Sequence, residues 1–411
     1  MKMFSKVMLV VGIVFTISKL SMAQGEAAIP FLQIAPDAKS SALGESGTAL
    51  ADNSAAIFWN PAGLAFQTGG EVSITHSNWL PAFKLDLFYD YLTFKQYVAS
   101  LDGTVSGSVT YMNYGKFTRT GPDSPEEIGT FSSFDCAATI GYATKVHPDV
   151  GLGFNFRVIY SNLSDKPTAE EKGSGTATTV SFDVGAMWRP SKLVIPFTDL
   201  DIGGQLSLGV NLSNLGPKIY YIDQAQADPI PTNFRLGLAY KIIDDEYNSL
   251  VFDIDFSKLL VVKNTNYTPV KDENGNPIKD YTGVNDSTTG TPTADPFYKA
   301  IFTSWTSKSI GETLRSINTS MGLEYWYGKP GDFLFALRAG FFYEDPSFGN
   351  RKFITFGAGI RYDIYGFDFS YITTDVFPDG ANHPLNNTLR FSVLVGWDLV
   401  PQKTKGFPKG V

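Results

Sequence analysis

The sequence predicts an all-β fold: a transmembrane antiparallel β-barrel of about fourteen strands with its N-terminal segment plugging the lumen. Three observations carry this. Beyond residue 23 no apolar stretch approaches the roughly twenty residues that a spanning helix needs. Segment after segment alternates apolar and polar side chains with the period of a strand. Long and short connections between these segments tend to alternate, as they do when hairpin loops project from one side of a membrane and tight turns from the other.

The N-terminus supplies the compartment. Met1–Lys6 is a short basic start, Val7–Thr16 an uncharged apolar run, and Ser21-Met22-Ala23 places small residues where a signal peptidase cuts, so residues 1–23 read as a signal peptide. Gln24, not a cysteine, follows the cut, which gives no lipoprotein anchor. Cleavage removes Lys2, Lys6 and Lys19 and no acid, moving the formal charge from −8 to −11. So acidic a chain argues against nucleic acid or an anionic surface as partner. A lone Cys136 permits no internal disulfide, and His76, His147 and His383 have no ligand-like spacing. No metal or cofactor is expected, and each histidine is expected in a turn or loop.

Residues 24–70 form the next unit. The stretch "ALADNSAAIFWNPAGLA" (49–65) is too small and irregular for a wall strand. Pro61 pushes Asn60 out of the helical region and fixes its own φ, while Gly63 is expected to supply a positive φ. Such a segment can fold back compactly as a hatch inside a barrel mouth.

Strands are expected at 71–79, 84–96, 104–119, 129–146, 150–164, 176–190, 201–213, 233–244, 248–262, 316–328, 333–345, 351–363, 365–374 and 387–398, giving a barrel over 71–399 and a periplasmic tail at 400–411. In "GLGFNFRVIY", Leu152, Phe154, Phe156, Val158 and Tyr160 share one face and Gly151, Gly153, Asn155 and Arg157 the other. "SFDVGAMWR", "ITFGAGIRYD" and "TLRFSVLVGW" repeat the pattern. Alternation alone would also suit a secreted sandwich, with the apolar face in its core. Aromatics at the ends of apolar faces (Tyr160, Trp188, Tyr325, Tyr327, Trp397) suit interfacial girdles, and Cys136 falls on a lipid-facing side. The connections decide: "LSDKPTAEEKGSG", "NLGPKIYYIDQAQADPIPT" and 263–315 are long, whereas "VHPD", "IDDEYN", "GKPGD" and "DIYG" are short. Both termini then lie on the short-turn, periplasmic side. Closure removes sheet edges, which lipid cannot hydrate.

The polar faces carry Arg157, Asp183, Arg189, Asp253, Asp255, Glu324, Arg338, Arg361, Asp363, Asp368 and Arg390. Opposite charges on neighbouring strands pair to fill a small lumen. Catalysis would need a nucleophile beside a base, and no such spacing is visible. Candidate binding residues lie instead in loops: Trp79, Leu80 and Phe83 of "NWLPAF", and the long 263–315 loop. There Asp295-Pro296 reads as a helix start, with Phe297, Ile301 and Trp305 on one face. An exposed apolar face needs a partner, be it protein, the lumen rim or lipid headgroups.

The stretch 49–65 resembles the hatch of FadL-type barrels, a family of fourteen-stranded barrels with a plugged lumen. A narrower resemblance rests on "LQIAPDAKSSALGESGTALADNSAAIFWNPA" and on the C-terminal runs "GLEYWYG", "GNRKFITFGAGIRYDIYGFDFSY" and "HPLNNTLRFSVLVGW". These are similar to the PorV (LptO) family of the type IX secretion system. Trp79–Phe83, the 263–295 insertion and the residues after the last strand depart from the pattern and leave the sibling PorQ branch open. The resemblance implies a non-enzymatic outer-membrane shuttle. Its partners would be cargo proteins bearing C-terminal signal domains, a SprA/Sov-like translocon, a PorU-like sortase with its attachment complex, and outer-membrane lipid. The alternatives are a FadL-like importer of hydrophobic molecules, which would show an apolar pocket behind the hatch and a lateral gap, and a lipid A deacylase-type hydrolase, for which the sequence offers no preferred residue.

Overall fold

A computed structural model describes residues 27–120, 126–164, 175–197, 199–221, 227–264, 293–329, 332–378 and 380–397. The expected signal peptide, the tail at 400–411 and residues 265–292 of the long loop lie outside the described residues.

Fourteen strands close into one antiparallel barrel in which each pairs with its neighbours in sequence and the last returns to the first. They are β1 (Gly70–Asn78), β2 (Phe88–Val98), β3 (Gly103–Thr120), β4 (Glu127–His147), β5 (Val150–Asn162), β6 (Thr176–Trp188), β7 (Leu206–Leu215), β8 (Asn233–Asp244), β9 (Asn248–Leu259), β10 (Ile317–Tyr327), β11 (Leu334–Tyr343), β12 (Lys352–Tyr362), β13 (Tyr365–Thr373) and β14 (Thr388–Trp397). Closure runs from Gly70↔Trp397 to Asn78↔Leu389. No sheet edge therefore faces lipid, the condition for strands to span a bilayer. No described helix is long and apolar enough to span one.

The expected faces are the observed ones. On β5, Phe154, Phe156, Val158 and Tyr160 are exposed outward, and Asn155, Arg157 and Ser161 are buried inward. Tyr111, Phe134 and Tyr160 stack across β3, β4 and β5 on the outer surface. Cys136 stands partly exposed in this outward row.

Three local readings are corrected. Residues 201–205 do not begin β7: Gly203-Gly204 sit in a turn, and Val194 bridges Asp201 in a small hairpin between β6 and β7. That connection is long although it lies on the short-turn side. His76 is not in a loop but on the outer face of β1, where its Nδ1 lies 2.7 Å from Asp90 Oδ1. Asp363 is not lumenal; it occupies the tight turn between β12 and β13 with φ 51° and is exposed.

Inside the wall, residues 27–69 supply most of the largest apolar cluster. They form a 3-10 turn (Pro30–Gln33), α1 (Ala38–Ser41), α2 (Ala56–Trp59) and a second 3-10 turn (Pro61–Phe66). Phe31, Ile57, Trp59, Leu64 and Phe66 pack with Tyr89, Tyr91, Met112, Ile159 and Met187 of the wall. The lumen of this barrel is a packed interior.

Candidate functional site

Two features can carry function: the hatch in the lumen and the loops at the long-loop end. The hatch is built from caps. Asp37 caps α1, accepting from Ser40 N at 3.0 Å, and its second oxygen accepts from Trp59 Nε1 at 2.7 Å, joining α1 to α2. Asn60 is extended (φ −162°, ψ 104°), as a residue before proline should be, and Pro61 opens the next turn. Asn60 Oδ1 accepts from Ala62 N at 3.1 Å, while Nδ2 donates to Thr48 O (3.0 Å) and to Ala186 O of β6 (3.1 Å). One side chain thus caps a turn, ties the hatch to itself and fastens it to the wall.

Gly63 plays a different part from the one its sequence context suggests. Its φ is not positive; a Cβ there would lie 2.3 Å from Ala51 O, so the glycine is required by close approach. The wall makes the same concession opposite it. A Cβ on Gly153 would lie 2.3 Å from Pro61 C, and one on Gly185 would lie 2.2 Å from Asn60 Oδ1.

Charge completes the fastening. Lys39 of α1 pairs with Asp52 of the hatch at 2.7 Å and with Glu324 of β10 at 3.2 Å. Glu324 also holds Arg338 at 2.7 Å; Arg338 reaches Asp368 at 2.8 Å, and Asp368 reaches Arg361 at 2.6 Å. On the other side Arg157 pairs with Asp183 at 2.7 Å. Asp255 accepts from Gly47 N at 2.9 Å and Thr48 N at 2.8 Å, and Asn211 Nδ2 donates to Trp59 O at 2.9 Å. Six of the lumenal charges, Arg157, Asp183, Glu324, Arg338, Arg361 and Asp368, do pair between strands, and the hatch's own Lys39 and Asp52 join the network. Buried ions so paired are costly to break singly.

Between hatch and wall lies a cavity of about 10 Å³, lined by Leu32, Phe58, Tyr89, Tyr91, Thr139 and Arg157 among others. It has room for about one water molecule. Among the described residues no group of His, Cys, Asp and Glu is arranged to hold a metal.

At the long-loop end, the predicted contact residues divide. Trp79 and Leu80 are half-buried, packed on the cluster of Phe342, Phe353, Ile372 and Leu385, and Arg390 stacks on the Trp79 ring at 5.5 Å. They roof the lumen, whereas Phe83, in a 3-10 turn between left-handed Leu80 and Lys84, is exposed.

The long loop contains α3 (Phe297–Thr303) and α4 (Ile310–Arg315). Asp295 anchors α3 by accepting from Lys299 Nζ and Thr303 Oγ1, each at 2.8 Å, and these donors hold its carboxyl below the usual carboxylate range. Ser309 and Glu312 cap α4 reciprocally. Phe297 and Ile301 are half-buried flanks of Ala300. Trp305 meets Phe234 edge-on at 5.8 Å under Lys258. The exposed stripe is a different one: Tyr298 (64%), Phe302 (74%), Ile310 (83%) and Leu314 (63%). Periodicity identified the helix; of the residues it singled out, Trp305 is 38% exposed while meeting Phe234, and Phe297 and Ile301 are half-buried.

Solved structures of similar architecture include the Ralstonia pickettii toluene transporter TbuX (11% identity, TM-score 0.43, covering 89% of this chain and 98% of that one). The Pseudomonas putida toluene transporter TodX gives 12%, 0.43, 88% and 96%, and a Pseudomonas aeruginosa FadL homologue 13%, 0.44, 88% and 98%. No curated protein sequence matches the chain. The sequence model of the family described as type IX secretion system protein PorV matches residues 21–266, more than half of the 411, and so spans the hatch and β1–β9. The C-terminal runs most prominent in the sequence fall outside that match. A chain matched over this length, folded as a closed transmembrane barrel, belongs to the PorV family and is an outer-membrane component of type IX secretion.

Proposed function

We propose that this barrel works as a carrier whose lumen stays shut and whose long loops hold secreted cargo by its C-terminal signal domain. It receives the cargo from a SprA/Sov-like translocon and presents it to a PorU-like sortase and attachment complex. The long loops then face outward and both termini face the periplasm. The observation that carries this reading is the division of labour in the chain. The lumen is filled by a hatch tied down through Asn60, Lys39 and Asp255, while α3 and α4 of the longest loop each carry exposed apolar side chains outside the lipid-facing wall. Such a stripe on a capped, anchored arm is suited to docking a protein surface. Conduction through the lumen would instead require breaking the buried ionic network.

The carrier is non-catalytic: most of its buried charges, among them Arg157, Asp183, Glu324, Arg338 and Asp368, are committed to one another, and Asp255 to the hatch backbone. Its contact residues are those of the arm, together with Phe83 in the β1–β2 loop and Phe297 and Ile301 on α3, while Trp305 holds the arm to the wall through Phe234. Deleting residues 296–314 should leave a heat-modifiable, membrane-inserted barrel from which cargo no longer co-purifies. Undiminished cargo retention in that deletion would refute the assignment of the arm.

A further inference from the structure

One lumenal cation differs from the rest. Arg390 on β14 is 0% exposed, and among the described residues none of its three guanidinium nitrogens makes a hydrogen bond. Its neighbours in register are Ser77 on β1 and Ser370 on β13, both fully buried and both with hydroxyls lacking a partner. Side chains directly opposite on adjacent strands have Cβ atoms about 5 Å apart, so the two hydroxyls flank the Arg390 side chain on either side. Trp79 roofs it, its ring 5.5 Å from the guanidinium carbon. One pleat along β14 the hatch begins: Ser392 Oγ accepts from Ala38 N at 3.0 Å and meets Thr75 Oγ1 at 2.6 Å.

Arg157, Arg338 and Arg361 each hold a carboxylate. Asp37 and Glu45 attract Arg390 electrostatically, yet neither reaches hydrogen-bonding distance. Asp37 is in any case engaged with Trp59 and Ser40. A buried guanidinium with two hydroxyls beside it and no acceptor calls for an anion.

We propose that Arg390, Ser77 and Ser370 form a binding site for a small monovalent anion, a halide or a single carboxylate group, between the hatch and the Trp79 loop. The Trp79 ring closes one side of the site, and the nearby Asp37 and Glu45 oppose a dianion such as phosphate or sulfate.

Thermal unfolding of the full-length protein in detergent, followed at constant ionic strength while chloride, bromide or acetate replaces methanesulfonate, tests this. The midpoint should rise with the logarithm of the concentration of an anion that binds the native state. A response to chloride and bromide alone assigns a halide, and a response to acetate assigns a carboxylate. Equal midpoints in all four salts overturn the proposal. Arg390→Gln should abolish the response, and a response that persists in Arg390→Gln also overturns it. Should that variant fail to fold, the Ser77→Ala/Ser370→Ala double variant should raise the half-saturating concentration about tenfold. In bromide-soaked crystals, anomalous scattering should place the ion beside Arg390, and density there without anomalous signal at saturating bromide would refute a halide.

Discussion

Asn60→Ala isolates what one side chain contributes to holding the hatch. Asn60 is fully buried and makes three hydrogen bonds: the cap on Ala62 N and the bonds to Thr48 O and Ala186 O. Losing an N-cap costs about 1 kcal/mol. Each of the two remaining neutral bonds contributes about 1 kcal/mol, and a buried carbonyl left without its donor costs at least as much. The sum is about 3 kcal/mol, which at 1.4 kcal/mol per tenfold is a factor of about a hundred in an opening equilibrium. This cost should fall on local release of the hatch, because the ladders of β4, β5 and β6 are untouched. Hydrogen exchange by mass spectrometry on the reconstituted barrel is the assay. Protection should drop about a hundredfold for peptides covering 54–67 and stay constant for 134–160. Unchanged protection at 54–67 would refute the view that Asn60 is a fastening. An equal loss across 134–160 would show that it supports the wall itself.

Three further perturbations test the same architecture. Gly185→Ala places a methyl 2.2 Å from Asn60 Oδ1, so it should loosen 54–67 much as Asn60→Ala does; a hatch as protected as wild type would show that the contact yields cheaply. Lys39→Met leaves the carboxylates of Asp52 and Glu324 without their shared cation, which should weaken hatch docking by about 3–5 kcal/mol, read as lost protection of 37–52; intact protection there would remove Lys39 from the fastening. The Asp295 carboxyl is held below its usual range by Lys299 and Thr303, so its contribution to α3 is present above the ordinary carboxylate pKa of about 4 and is lost as pH falls through the lowered value. A spin label in Phe302→Cys/Cys136→Ser should keep constant mobility from about pH 7 down to about 5 and loosen only below about 4. Loosening above about pH 5 would assign the anchoring to another group.

The wall was legible because lipid and lumen impose a two-residue period that only a slip in register could disguise. Fourteen strands could be counted for that reason, and the largest difference in their ends is at the start of β7, where Gly203-Gly204 sit in a turn. The docking of the hatch was not legible in the same way. The salt bridge from Lys39 to Glu324 joins residues 285 positions apart, and no local pattern encodes it. Gly63 shows how a correct residue can carry the wrong reason: glycine before a turn suggests a positive φ, yet close approach to Ala51 demanded it. On α3 the period of the helix was visible, but the contact of Trp305, just beyond its end, with Phe234 and Lys258, far away in the chain, is encoded in no local pattern.

The tied-down hatch also bears on how much of this protein a cell can carry. The outer membrane is a permeability barrier, and each open pore added to it admits detergents and antibiotics in proportion to its copy number. A barrel whose lumen is filled by a hatch tied to its wall adds no such leak. It can be made in large numbers, outnumbering any machine it serves, and can diffuse in the membrane without weakening the envelope.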